Sequence, residues 1–117
     1  MNRWYNLVIP ERWGIRKETK QMVRIGIFVC SQYVQPFSFI AGDGKKQEAG
    51  NYYINYVMFD DEDYLFRFYM TPSEFEKEVG IKLSGKKLRM IPFICDFSVD
   101  TSGKKIKCGL ANFEFPR

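Results

Sequence analysis

Residues 64–70 of this 117-residue chain carry one arginine between aromatic residues, in a stretch with the spacing of a β-strand. Leu65, Arg67 and Tyr69 occupy alternate positions and therefore share one face of that strand. We expect this face to point outward and the opposite face to form core, with Tyr64, Phe66, Phe68 and Met70. Exposed rings stack on nucleic-acid bases of any sequence, and arginine holds phosphates or stacks on a base. The pattern therefore predicts a surface that binds single-stranded nucleic acid.

Two further predicted strands, residues 22–29 and 51–59, add side chains to this surface. The first has four aliphatic residues with period two, which predicts a core face made of Val23, Ile25, Ile27 and Val29. On the second, Asn55 marks the polar face, which Tyr53 shares. A shift of one residue would exchange the two faces of either strand. The sequence thus predicts an outward binding face that consists of Arg24, Phe28, Tyr53, Arg67 and Tyr69.

Lysines in the predicted loops extend the basic surface. Lys45 and Lys46 lie in a long predicted loop, residues 35–50, and Lys87 follows the predicted helix. Lysines that neutralise phosphates release counterions and so add affinity for a nucleic-acid backbone. We expect these three lysines to contact DNA as well.

The predicted elements that position these residues are strands and one short helix. The motif Thr71-Pro72-Ser73-Glu74 is a capping box with proline at the first helical position, and Gly80 is expected to end the helix. The strand at residues 86–99 is expected to break at Pro92, and the last strand covers residues 104–115. This order predicts a mainly β chain with one domain over residues 1–117, an OB-fold-like barrel of five strands with the helix between strands three and four. An SH3-like or other small barrel is the alternative.

The composition argues against catalysis. The chain has no histidine, which excludes Ser-His-Asp triads and His-ligated zinc. Asp96 is the one carboxylate inside an apolar run, and no base, nucleophile or phosphate-binding loop accompanies it. We therefore expect no enzymatic activity, no cofactor and no metal. The three cysteines, an odd number in apolar surroundings, are expected to be free thiols in a reducing compartment.

Charge and hydropathy indicate the compartment and the kind of partner. The formal net charge is +4, which favours an anionic partner. No apolar run approaches the roughly 18 residues of a membrane span, and the N-terminus lacks the apolar core of a signal peptide. We expect a cytoplasmic protein without a membrane partner.

From about residue 20 to the end, the chain resembles the small OB-fold single-stranded-DNA-binding proteins that bacteriophages carry. The resemblance is carried by the strand order, by the helix that Thr71-Pro72-Ser73-Glu74-Phe75 begins, and by the aromatic and basic outer faces. It implies a protein that coats single-stranded DNA without sequence preference during replication or recombination. It also implies a homo-oligomer, a dimer or tetramer, in the host cytoplasm.

Two other classes of function fit the same residues. One is an RNA- or duplex-binding module on a similar barrel, which competition between nucleic acids would distinguish. The other is a protein-interaction domain, such as an inhibitor of a host enzyme, whose exposed rings anchor a protein partner. A failure to bind oligonucleotides at low salt would favour this second class.

Overall fold

The computed structural model describes residues 3–10, 20–60, 62–80 and 89–116, except the side chains of Lys20 and Arg89. The described chain is mainly β, as the sequence predicts. Its eight strands are β1 (Tyr5–Asn6), β2 (Lys20–Val34), β3 (Phe37–Ile40), β4 (Lys46–Ala49), β5 (Tyr52–Phe59), β6 (Phe66–Met70), β7 (Arg89–Asp100) and β8 (Lys107–Glu114). One helical segment consists of helix α1 (Pro72–Phe75) and the π-helical turn Glu76–Gly80.

Six of the strands form one antiparallel sheet in the order β1-β8-β7-β2-β5-β6. The sheet curls into a nearly closed barrel, so that its two edge strands, β1 and β6, come together. The backbone N–H of Val8, just after β1, donates to the carbonyl of Arg67 on β6 at 2.9 Å. The sequence predicted five strands with the helix after the third. The structure instead has six strands in this sheet, a separate two-stranded sheet β3–β4, and the helix after the sixth strand of the chain.

The predicted loop at residues 35–50 is a β-hairpin, which corrects the sequence prediction. Ile40 pairs with Lys46 and Phe37 with Ala49, and the turn contains the predicted Gly42-Asp43-Gly44. At its base Gly50 has φ of 88°, a conformation that glycine adopts without the steric cost of a Cβ. The hairpin therefore continues the paired strands β2 and β5 beyond the end of the barrel.

The inner face of the barrel is built largely from phenylalanine. The fully buried rings belong to Phe28, Phe59, Phe66, Phe68, Phe93, Phe97 and Phe113. The prediction that Phe66, Phe68 and Met70 form core is confirmed. On β6 the alternation of buried and exposed residues is complete from Phe66 to Met70.

The predicted faces of β2 were wrong. Phe28 is buried, whereas Val23 and Ile25 are 65% and 60% exposed. Arg24 lies on the inner side, where its guanidinium is 4.3 Å from the centroid of the Phe59 ring and also lies over a second ring of the core. An arginine can occupy such a position because the ring faces attract the cation and the aliphatic stem packs against apolar side chains.

The capping box at the start of α1 is confirmed. The Thr71 hydroxyl accepts from the Glu74 backbone N–H at 3.2 Å, and the Glu74 carboxylate accepts from the Thr71 backbone N–H at 2.8 Å. Glu74 also forms an ion pair with Arg3, which ties the N-terminal segment to the helix. Gly80 does not adopt the left-handed conformation expected of a capping glycine and belongs to the π-helical turn.

Pro92 does not interrupt β7, contrary to the sequence prediction. It lies within the strand and pairs with Ile27 of β2. On the other side β7 pairs with β8 only from Ile94 onward, so the missing N–H of the proline removes no hydrogen bond there. The predicted start of this strand, residues 86–88, lies outside the described residues.

Alkaline pH should destabilise this fold. Burial, together with the carboxylates of Glu74 and Glu78, raises the pKa of Tyr5 from 10.0 to about 12. Burial, together with the Asp96 carboxylate, raises the pKa of Cys95 from 9.0 to about 12. The unfolded chain loses both protons at lower pH than the folded chain. The contribution of these two groups to the free energy of unfolding is therefore fully present below about pH 9 and falls as the pH rises towards 12.

Urea unfolding on either side of this pH window measures the effect. We expect a lower midpoint at the alkaline end, with part of the difference removed by Tyr5→Phe. Equal midpoints in the unmodified protein would contradict the prediction.

Candidate nucleic-acid interface

The outer surface of β5 and β6 carries three tyrosines and one arginine, which we call the tyrosine face: Tyr52, Tyr56, Arg67 and Tyr69. The pairing of the two strands places Tyr56 opposite Arg67. Tyr69, which is 46% exposed, lies on the same face of the sheet. Arg67 and Tyr69 thus have the outward orientation that the sequence predicted.

The rings of this face are held in fixed orientations by one another and by β2. The rings of Tyr52 and Tyr69 meet edge to face, with centroids 5.6 Å apart and planes at 83°. The Tyr56 hydroxyl donates to the Gln32 side chain at 3.4 Å. Within the described residues the Arg67 guanidinium has no ion-pair or hydrogen-bond partner. Rings of set orientation beside a charge of this kind suit the stacking of bases and the contact of a phosphate.

Tyr53 does not lie on this face, contrary to the sequence prediction. It points to the inner side of the sheet, where its ring stacks on Phe75 at 3.8 Å between centroids and 5° between planes. Asn55, taken from the sequence as the mark of the polar face, is fully buried. Its side-chain oxygen accepts from the Ser31 hydroxyl at 2.6 Å. This hydrogen bond satisfies the amide oxygen inside the barrel, whereas the amide nitrogen is buried without a hydrogen-bond partner among the described residues.

Phe28 and Arg24 are also absent from the tyrosine face. The Phe28 ring lies in the core against Phe93, and the Arg24 guanidinium lies over rings of the core. Neither residue shares an outer surface with Arg67 and Tyr69. The set of five predicted residues is thus divided between the two sides of the sheet.

The predicted basic loop at residues 35–50 lies apart from this surface. Lys45 and Lys46 are exposed at the end of the β3–β4 hairpin. Lys87 lies outside the described residues. The structure does not bring Lys45 and Lys46 onto the tyrosine face.

Sequence reasoning missed Tyr52 and Tyr56. The signal that could have found them is the pair Val57 and Phe59, which are buried and fix the alternation of β5. If residues are counted back from this pair in steps of two, Tyr53 falls on the inner face and both missed tyrosines fall on the outer face. Apolar residues near the end of the strand were a better guide to its faces than one amide.

Comparisons with known proteins do not identify the chain. No family model, no curated protein and no solved structure matches it. Within the described residues no cluster of cysteine and carboxylate side chains could hold a metal ion. No helix in the described ranges is long and apolar enough to cross a membrane.

Proposed function

We propose that this protein binds single-stranded DNA on the tyrosine face, without sequence preference. The observation that carries the proposal is one outer sheet face on which Tyr56 lies opposite Arg67 and Tyr52 contacts Tyr69. Each ring offers a π-face to a base of any kind, and the arginine offers a charge to the backbone. No helix of the described chain is placed to read base edges, which supports binding that does not depend on sequence.

The strand order supports the same proposal. Without β1 and the β3–β4 hairpin, five long strands remain, β2, β5, β6, β7 and β8, with the helix between the third and the fourth. They lie in the sheet in the order five, four, one, two, three. We infer an OB-type Greek-key barrel, a fold in which the face of strands two and three binds oligonucleotides. Strands two and three of this set are β5 and β6, which carry the tyrosine face.

Titration of a fluorescent oligothymidine at several salt concentrations tests the proposal. We expect the logarithm of the binding constant to fall with the logarithm of salt concentration, with a slope of about −0.7 for each phosphate contacted. Duplex DNA should compete poorly, because stacking on the tyrosines needs unpaired bases. Competition by single-stranded RNA distinguishes a DNA-binding protein from an RNA-binding one.

The substitution Arg67→Ala should weaken binding and reduce the magnitude of the salt slope by about 0.7, because one phosphate contact is lost. Arg67→Lys is the matched control, since it keeps the charge and should keep the slope. Arg67 is exposed, so neither change should alter folding, which circular dichroism verifies. An unchanged slope for Arg67→Ala would show that this arginine does not contact the DNA backbone.

A further inference from the structure

The β3–β4 hairpin is without support from the rest of the described structure. Its two strands contact each other but no other element among the described residues. Phe37, Phe39 and Ile40 are exposed, the last to 70%. A two-stranded hairpin is at best marginally stable alone in water, so these apolar side chains need a partner to pack against.

The charge of the hairpin does not favour DNA as that partner. Over residues 35–50, Lys45 and Lys46 are balanced by Asp43 and Glu48, so two positive and two negative charges give a formal sum of zero. Asp43 also accepts from the Lys45 backbone N–H at 3.0 Å within the turn. A phosphate chain would gain no net attraction from this segment, whereas an apolar protein surface would bury its exposed side chains.

Such an apolar surface exists elsewhere on the molecule, on the outer side of β2 and β7. Its members are exposed residues that are cross-strand neighbours, and we call them the apolar stripe: Val23, Ile25, Ile27, Pro92 and Ile94. An exposed sheet face of contiguous aliphatic residues is typical of an interaction site. Nothing in the described part of the chain covers it.

The end of the apolar stripe opens into a groove of about 620 Å³, which we call the acidic groove. Val23 and Ile94 line it, together with the carboxylates of Glu78, Asp96 and Glu114 and the single lysine Lys77. The hairpin presents the opposite combination. Lys46 is the cross-strand neighbour of Ile40, so an ammonium group stands beside an exposed aliphatic side chain. The hairpin as a whole is neutral, but at this one pair of positions it complements the groove both in charge and in apolar character.

We propose that the hairpin of one copy of this protein docks in the acidic groove of a second copy. Ile40 packs on Val23 and Ile94, and its cross-strand neighbour Lys46 pairs with Glu114. The four paired positions of the hairpin give it a reach of roughly 14 Å, enough to enter a groove of a neighbouring molecule. In this proposal the contact is head to tail, so a pair of molecules leaves one hairpin and one groove unoccupied and further copies add to form an open chain.

This assembly goes beyond the proposed function and requires no DNA. The contact is small compared with a standard stable interface, so the free protein assembles weakly. Assembly on DNA does rest on the proposed function. Copies bound side by side on one single strand of DNA would have a high effective concentration and would assemble more strongly.

Sedimentation velocity of the protein without DNA, over a range of concentrations, tests the proposal. The wild type should form chains that grow with concentration. Ile40→Ser, the hairpin variant, and Val23→Ser, the stripe variant, should each remain monomeric at the same concentrations. Both side chains are exposed, so both variants should fold. Gln47→Ala, on the opposite face of the hairpin, is the matched control and should assemble like the wild type.

A mixture of the two variants gives the sharpest result. The intact hairpin of the stripe variant can dock in the intact groove of the hairpin variant, and the resulting pair has no working surface left at either end. We therefore expect the mixture to form dimers and nothing larger. Lys46→Glu alone and Glu114→Lys alone should each weaken assembly up to about five-fold, and the double variant should recover it.

Three outcomes would overturn the proposal. The first is a wild type that stays monomeric at every concentration. The second is assembly that Val23→Ser abolishes but Ile40→Ser does not, which would indicate a symmetric contact between two stripes. The third is an Ile40→Ser variant that assembles normally but loses affinity for a short oligothymidine, which would make the hairpin a DNA contact. Oligonucleotide affinity is measured separately, so failure of the docking is distinguishable from failure of DNA binding.

Discussion

Replacing Phe28 by alanine should lower the free energy of unfolding by about 3–5 kcal/mol, the usual cost of removing a buried ring from a packed core. The Phe28 side chain is fully buried. It meets the rings of Phe93 and Phe115 edge to face, with centroids 6.4 Å and 5.8 Å away. Both contacts and the burial of the ring are lost together in the variant. Urea unfolding followed by circular dichroism should show a lower midpoint with an unchanged slope.

Ile25→Ala on the same strand is the control. Ile25 is 60% exposed on the opposite face, so its truncation should change stability by about 0.5 kcal/mol or less. The unfolding is measured at low protein concentration, where the proposed docking does not contribute to the free energy of unfolding. A large loss for Ile25→Ala with a small loss for Phe28→Ala would mean that the aliphatic face of β2 is the core.

The faces of β2 could not be read from the sequence because both of them are apolar. Aliphatic residues with period two usually mark a core face, and Arg24 on the other face appeared to confirm that choice. The structure accommodates Arg24 inside by cation–π contacts with Phe59 and Phe97. Gly26 leaves room for Phe93 on the same side, since a Cβ there would lie only 2.9 Å from the ring. Long-range contacts of this kind do not appear in the spacing of one strand.

Other features were predictable because they depend on neighbouring residues in the chain. The capping box of α1 forms between Thr71 and Glu74, three residues apart, and the structure confirms it. The faces of β6 were predicted because its polar and apolar positions alternate without exception from Phe66 to Met70. The β3–β4 hairpin was missed because its apolar residues, exposed in the structure, gave no alternation between a buried and a solvated face.

The candidate site was predictable only in part for the same reason. Arg67 and Tyr69 follow from the alternation of β6, whereas β5 contains Asn55 on its buried face. A single buried amide that is hydrogen-bonded to Ser31 reversed the expected faces of that strand. The type of surface, rings beside an arginine, was therefore predicted, while two of its three rings, Tyr52 and Tyr56, were missed.

The double substitution Tyr52→Ala and Tyr69→Ala should weaken binding of single-stranded DNA by about 2–6 kcal/mol. Each ring that stacks on a base contributes about 1–3 kcal/mol, and the variant removes two. The two rings are in edge contact at 5.6 Å, so the single variants are not expected to add up to the double variant. Anisotropy titrations with a short oligothymidine, which leaves no room for a second protein molecule, measure this loss without a contribution from assembly.

Two controls separate stacking from other effects of these changes. The double substitution Tyr52→Phe and Tyr69→Phe keeps both rings and should keep the affinity, because stacking needs the π-face and not the hydroxyl. Ile94→Ala changes an exposed residue of β7, outside the tyrosine face, and should leave the affinity unchanged. If the double alanine variant remains folded and binds oligothymidine as the wild type does, bases do not stack on the tyrosine face. Single-stranded DNA, if bound at all, would then lie on another surface of the barrel.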